Sequence, residues 1–146
     1  MKRIILLTLL CTTTILMAQR INHIQEAIAD YDYETALILI AKEKTTIPLL
    51  LQKGKAQRGL GLNAEALSTY QEIIANDTAN TRAYIEAAEC CRSLAKNQQA
   101  LKYYEQALDL NPENKYVRIQ YIGLLLSLQK FQEALGESSL MTEKDS

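Results

Sequence analysis

The chain has 146 residues, of which 16 are basic and 17 acidic, for a formal net charge of −1 at neutral pH. That balance lacks the basic excess of a general nucleic-acid binder and gives little electrostatic attraction to anionic lipid. A single histidine leaves a metal centre without the imidazole partners it needs.

The first stretch, Met1–Ala18, places Lys2 and Arg3 ahead of an apolar run from Ile4 to Met17, with small Ala18 before Gln19. A positive start, a short apolar run and a small residue at the cut are the parts of a secretory signal peptide. The run is shorter than the roughly 20 apolar residues that span a bilayer. Export with cleavage after Ala18 is therefore expected, and an uncleaved membrane anchor is the alternative. Cys11 does not make a lipoprotein site, because bulky Leu10 precedes it and too little apolar chain comes before. Export places the chain in the periplasm or envelope of a bacterium. Loss of Lys2 and Arg3 leaves 14 basic residues against 17 acidic, a net charge near −3.

Residues 19–46 read as a degenerate helical hairpin. Ile21, Ile24, Ala27 and Ile28 fall at helical spacing. Asp30-Tyr31-Asp32 forms a turn, and Tyr33 to Leu37 begins a second helix. His23 is expected to be a solvated or capping residue of the first helix. Residues 47–80 form the next hairpin. Thr46 is placed to cap a helix that carries Pro48 in its first turn and runs to about Leu60. The break at Gly59-Leu60-Gly61-Leu62 ends it, and Asn63 is the expected cap of its partner.

Residues 81–114 carry the clearest pattern. Tyr84, Ala87, Ala88, Cys91 and Leu94 make one apolar stripe, and Ala100, Leu101, Tyr104, Ala107 and Leu108 make a second. Lys96-Asn97 interrupts them, with Asn97 as the expected cap. Asn111 is expected to cap the following helix, with Pro112 in its first turn. Adjacent Cys90 and Cys91 point about 100° apart on a helix, so burial in the core is expected and a bond between them is not. Residues 115–146 repeat the scheme. Tyr121, Ile122, Leu125 and Leu128 form a stripe that Leu124 and Leu126 widen, so this helix is expected to be the most buried. The helix from Phe131 to Thr142 follows, with Leu135, Leu140 and Met141 left an open side for further repeats or another subunit.

These hairpins recur at one fixed spacing. Gly54, Ala88 and Ile122 coincide, as do Leu60, Leu94 and Leu128. Ala66, Ala100 and Ala134 coincide, each followed by leucine, and Tyr70 coincides with Tyr104. The chain resembles the tetratricopeptide repeat (TPR) family, whose period of about 34 residues it shares. Tyr84, Ala88, Ala100, Tyr104, Ala107 and Pro112 fall on that family's pattern. Thr78 and Ser146 depart from its closing proline, Arg118 replaces Tyr84, and Ser138 replaces Tyr104. Ala66 follows Ala36 too soon, four residues short of the period. Four residues make about one helical turn, and the helix from Pro48 is expected to be the one clipped.

The resemblance implies an all-α, right-handed superhelical solenoid of about three to four repeats. It also implies a concave groove, lined by the first helix of each hairpin, that holds a protein or peptide. The residues of this sequence that lie off the packing stripe there form three rungs. Leu51, Ile85 and Ile119 make the first, Lys55, Glu89 and Gly123 the second, and Arg58, Arg92 and Leu126 the third. Gly123 leaves room for an approaching backbone. The alternative is that the apolar rung packs against the next hairpin. The family's chaperone-binding carboxylate clamp is absent, since its places carry Leu51, Lys55, Glu86, Tyr116 and Gln120. No cluster of polar groups suggests catalysis, and no cofactor, metal or small-molecule substrate is implied. The expected activity is an exported adaptor or scaffold in assembly of an envelope complex. The alternative is the N-terminal arm of a longer protein.

Overall fold

Short polar side chains decide where the helices start. The structure, a computed structural model, describes residue 16 and residues 18–142. The expected leader therefore lies outside the described residues except for Leu16 and Ala18, which are helical. Helix α1 covers residues 18–29. It is followed by α2 (Tyr33–Ile40), α3 (Ile47–Gly59), α4 (Asn63–Asn76), α5 (Thr81–Ser93), α6 (Asn97–Leu110), α7 (Lys115–Ser127) and α8 (Phe131–Thr142). Thr46, Asn80 and Asn114 stand one repeat period apart, and each side chain accepts the backbone N–H three residues on. Asp32 does the same for α2, and the bond from Thr35 holds its carboxyl below the ordinary carboxylate range.

Helix ends follow the same period. Gly61, Ala95 and Gln129 all have positive φ, between 56° and 75°. Behind them, Leu62, Lys96 and Lys130 donate back to Gln57, Cys91 and Leu125 at 2.8–2.9 Å. This is a Schellman closure, which satisfies carbonyls the helix end leaves open. Tyr31 closes α1 the same way, with Asp32 donating to Ala27. Only Gly61 takes that conformation without steric cost.

Three expected caps are corrected. Asn63 is the first helical residue of α4 and not its cap. Lys96 occupies the cap of α6, without a side-chain bond, and Asn97 is the first helical residue. Asn111 ends α6, Pro112 lies in the turn before α7 and not in its first turn, and Asn114 caps α7. In Asn-Pro-Glu-Asn only the second asparagine sits three residues before a free helical N–H. The clipped helix is also a different one. Helices α3, α5 and α7 each have 13 residues, whereas α2 has 8 against 14, 14 and 12 for α4, α6 and α8. The missing turn belongs to α2.

The chain forms two compact units, one ending at Leu62 and one beginning at Asn63. In the first, Ile24, Ile28, Ala36, Ile40 and Ala56 make a core from α1, α2 and α3. Tyr33 lies over Gly59, so that a Cβ there would fall onto its ring. In the second, α4 to α8 pack each against the next. Tyr70, Ile73, Tyr104 and Leu125 are among its fully buried side chains. Cys90 and Cys91 form no disulfide and have no exposure. Helix α5 is the most buried, with six covered residues, while α7 leaves Tyr116, Ile119 and Leu126 exposed. Of the two leucines that widen the α7 stripe, Leu124 joins the core and Leu126 lies on the surface.

Candidate partner-binding surface

The proposed rungs divide between the two units. Leu51, Lys55 and Arg58 follow one face of α3 at spacings of four and three residues. Leu51 and Arg58 are half-buried and Lys55 is exposed. In the second unit, Ile85, Glu89 and Arg92 repeat that spacing on α5, and Ile119, Gly123 and Leu126 on α7. Ile85 and Glu89 are half-buried, whereas Ile119 is 54% exposed. The apolar rung is therefore part packing and part surface.

Glu89 and Arg92 are brought together by a tyrosine. Tyr104 of α6 has a fully buried ring, and a buried phenol needs a partner for its hydroxyl. It donates to Glu89 at 2.5 Å and accepts from Arg92 at 3.3 Å. Arg92 also lies 3.6 Å from Glu89 and donates to Gln120 of α7 at 2.7 Å. Burial, with the Glu89 bond second, pushes the Tyr104 hydroxyl far above its ordinary value. Three helices are tied by this network, so Glu89 and Arg92 stiffen the surface as well as charging it. The rung spacing did not reveal it. The signal that would have is the tyrosine at a core position, whose hydroxyl had to reach a polar group on a neighbouring helix.

A second tie lies behind the first. Tyr121 donates to Glu105 at 2.6 Å, and Arg118 pairs with Glu137 of α8 and donates to the Pro112 carbonyl at 2.8 Å. Arg118 thereby joins α7 to α8 by charge, where the tyrosine at the same place in α5 joins helices by its ring: Tyr84 packs at 6.3 Å against Tyr103, which also accepts from Gln71 of α4.

What remains open is a stripe on α7. Tyr116, Ile119 and Leu126 are exposed at 57%, 54% and 49%, with steps of three and seven residues along one face. Between them, a Cβ added at Gly123 would meet nothing within 4 Å. At the same places α5 carries Arg82, Ile85 and Arg92, with Glu89 in place of the glycine. Among the described residues there is no group of three or more metal-ligating side chains.

Two family profiles, both described as Tetratricopeptide repeat, match residues 51–114 and 92–137. Together they span more than half of the chain. The chain belongs to the tetratricopeptide repeat family. No curated protein sequence matches this TPR chain, but solved structures share its fold. A tetratricopeptide repeat protein from Parabacteroides merdae matches with a TM-score of 0.77 at 22% identity, over 88% of this TPR chain and 54% of its own. The first TPR of Spaghetti (RPAP3), bound to the HSP90 peptide SRMEEVD, gives 0.69 at 21% identity, covering 74% and 89%. PcrH of Pseudomonas aeruginosa, in complex with the chaperone binding region of PopB, gives 0.65 at 19%, covering 74% and 93%. At such identities the likeness is one of fold.

Proposed function

We propose that this TPR protein is an exported adaptor that binds a partner protein or peptide on the exposed faces of its first helices, in the assembly of a complex of the bacterial envelope. The observation that carries the reading is the α7 stripe, in which three large apolar side chains flank a glycine open to close approach. Exposed apolar residues grouped on one face mark interaction surfaces. Arg92 and Glu89, held by Tyr104 and Gln120, add a fixed polar edge that steers and orients a partner. Support also comes from fold neighbours that hold a peptide or a partner's binding region. The leader-like Met1–Ala18 supports export.

The test is capture from an envelope extract with the chain beginning at Gln19. Ile119→Ser with Leu126→Ser is expected to leave the helical melting curve nearly unchanged, because exposed side chains contribute little packing. Capture is expected to weaken by more than about tenfold, as at interface anchors. A variant that folds and captures its partner at full strength rejects the α7 surface.

A second reading is favoured by α8. Leu67 and Leu101 are 5% and 3% exposed under the next helix, whereas Leu135 at the same place is 67% exposed beside exposed Phe131. A further hairpin, of this protein or of another subunit, would cover both.

A further inference from the structure

The missing turn of α2 leaves a cavity. Ala36 aligns with Ala66 and Ala100, so Glu43 aligns with Ile73 and Ala107, both fully buried. Helix α2 ends three residues short of Glu43, at Ile40. A cavity of about 280 Å³ opens there, against α3. Its floor is apolar, made by Leu37, Ile40, Leu49 and Leu50.

The wall across from the missing turn has changed in step. Its α3 positions Lys53 and Gln57 correspond to Ala87 and Cys91 on α5, and to Tyr121 and Leu125 on α7. All four of those are buried, at 0–6% exposure. Where the other hairpins seal this seam with apolar side chains, α3 presents an ammonium and an amide. Lys53 is half-buried and has no partner among the described residues. The acidic residue of the lining, Glu43, has a largely buried side chain that is engaged by Arg20 at 3.2 Å. An apolar floor below an unpaired cation selects a group that is apolar at its tip and anionic beside it.

We propose that this cavity takes one large apolar side chain of a peptide, with the carboxylate of a neighbouring acidic residue held by Lys53. The proposal rests on the reading of the protein as a peptide-binding adaptor, but its site lies on α2 and α3 and is separate from the α7 stripe. Exposed Thr45 on the lining offers the peptide backbone a hydroxyl.

The experiment is a titration of isotope-labelled protein, followed by amide chemical shifts. The probes are N-acetyl-aspartyl-leucinamide, its lysyl-leucinamide and aspartyl-serinamide counterparts, and hexanoate. Saturating shifts confined to residues 37–57 are expected with the aspartyl-leucine probe, and about tenfold weaker binding of the other two dipeptides. Lys53→Gln should erase the preference for aspartate, and Lys53→Glu should reverse it towards lysine. Both lie at a half-buried position, so an unchanged melting curve is required of the variant that is read. Equal binding of all dipeptides, or unchanged preference in both variants, overturns the proposal. Binding of hexanoate without the dipeptides would assign the cavity to a fatty acid and also overturn it. Envelope capture separates the two readings. Capture that survives Lys53→Glu, with a silent titration, removes the cavity and leaves the adaptor. Absence of any capture by the unmodified protein removes the adaptor, while the titration still decides the cavity.

Discussion

Ala100 sits at a point where two helices touch, and its counterparts Ala36, Ala66 and Ala134 are all covered to within 3%. A larger side chain has no space there, so Ala100→Leu is expected to cost about 1–3 kcal/mol. Exposed Gln98→Leu, in the same helical turn, should change little. Denaturant melts of the two variants check this, and equal, negligible effects would refute the repeat alignment. Tyr104 and Tyr121 make a different prediction, one of pH. Burial first, then the Glu89 and Glu105 carboxylates, raise both hydroxyls well above the usual value. In the unfolded chain they ionise near pH 10, so above that pH the unfolded state releases protons that the fold retains. Their contribution to stability is whole below about pH 10 and falls as pH rises past it. Tyr104→Phe is expected to lose about 1 kcal/mol near neutrality and to show a shallower alkaline decline. Circular dichroism melts at neutral pH and near pH 11 would show it, and parallel declines in both proteins would refute it.

At the scale of the helix, the caps recur as faithfully as the core. Asn80→Ala and Asn114→Ala are expected to cost about 1 kcal/mol each, since each removes the acceptor of a first-turn N–H. Asn97→Ala makes no such loss, because Asn97 lies inside α6. A larger effect at Asn97 than at Asn80 in thermal melts would contradict the observed helix starts. The apolar stripes of α5 and α6 were legible in the sequence because helical spacing and burial are one fact seen twice. The owner of the missing turn was not. A four-residue deficit between Ala36 and Ala66 is shared by two helices, and Pro48 drew attention to α3, where proline at the first turn costs nothing. The surface stripe on α7 was legible only in part. Leu124 and Leu126 both look like core in a sequence, but they point in nearly opposite directions from the helix axis. One is therefore buried and the other half-exposed. The Glu89–Tyr104–Arg92–Gln120 network escaped the reading because its bonds join helices at separations that no local spacing encodes, from |i−j| of 12 to 28.

For the whole molecule, the expectation that reaches furthest is processing. If Met1–Ala18 acts as a leader, protein recovered from an envelope fraction will begin at Gln19, open or cyclised, by mass spectrometry. An intact Met1 in the membrane fraction would favour the anchor. Among the described residues no helix is long and apolar enough to cross a membrane. The two compact units meet the chain at Leu62 and Asn63, within the segment matched by the family profile over residues 51–114. The repeat that continues in sequence is thus divided between two bodies, and the candidate surfaces fall on both sides: the cavity on the first, the α7 stripe on the second.

The paired thiols of α5 supply a clock. From Gln19 onward, Cys90 and Cys91 are the only cysteines, and neither has any exposed surface. A thiol reagent can reach them only when α5 lifts from its neighbours, so the labelling rate measures how often the central helix opens. Burial raises Cys91 above its ordinary pKa, which slows its reaction further while it is folded. Read in this way, labelling with and without a captured partner turns an inert feature of the core into a measure of whether binding at α7 slows opening two helices away.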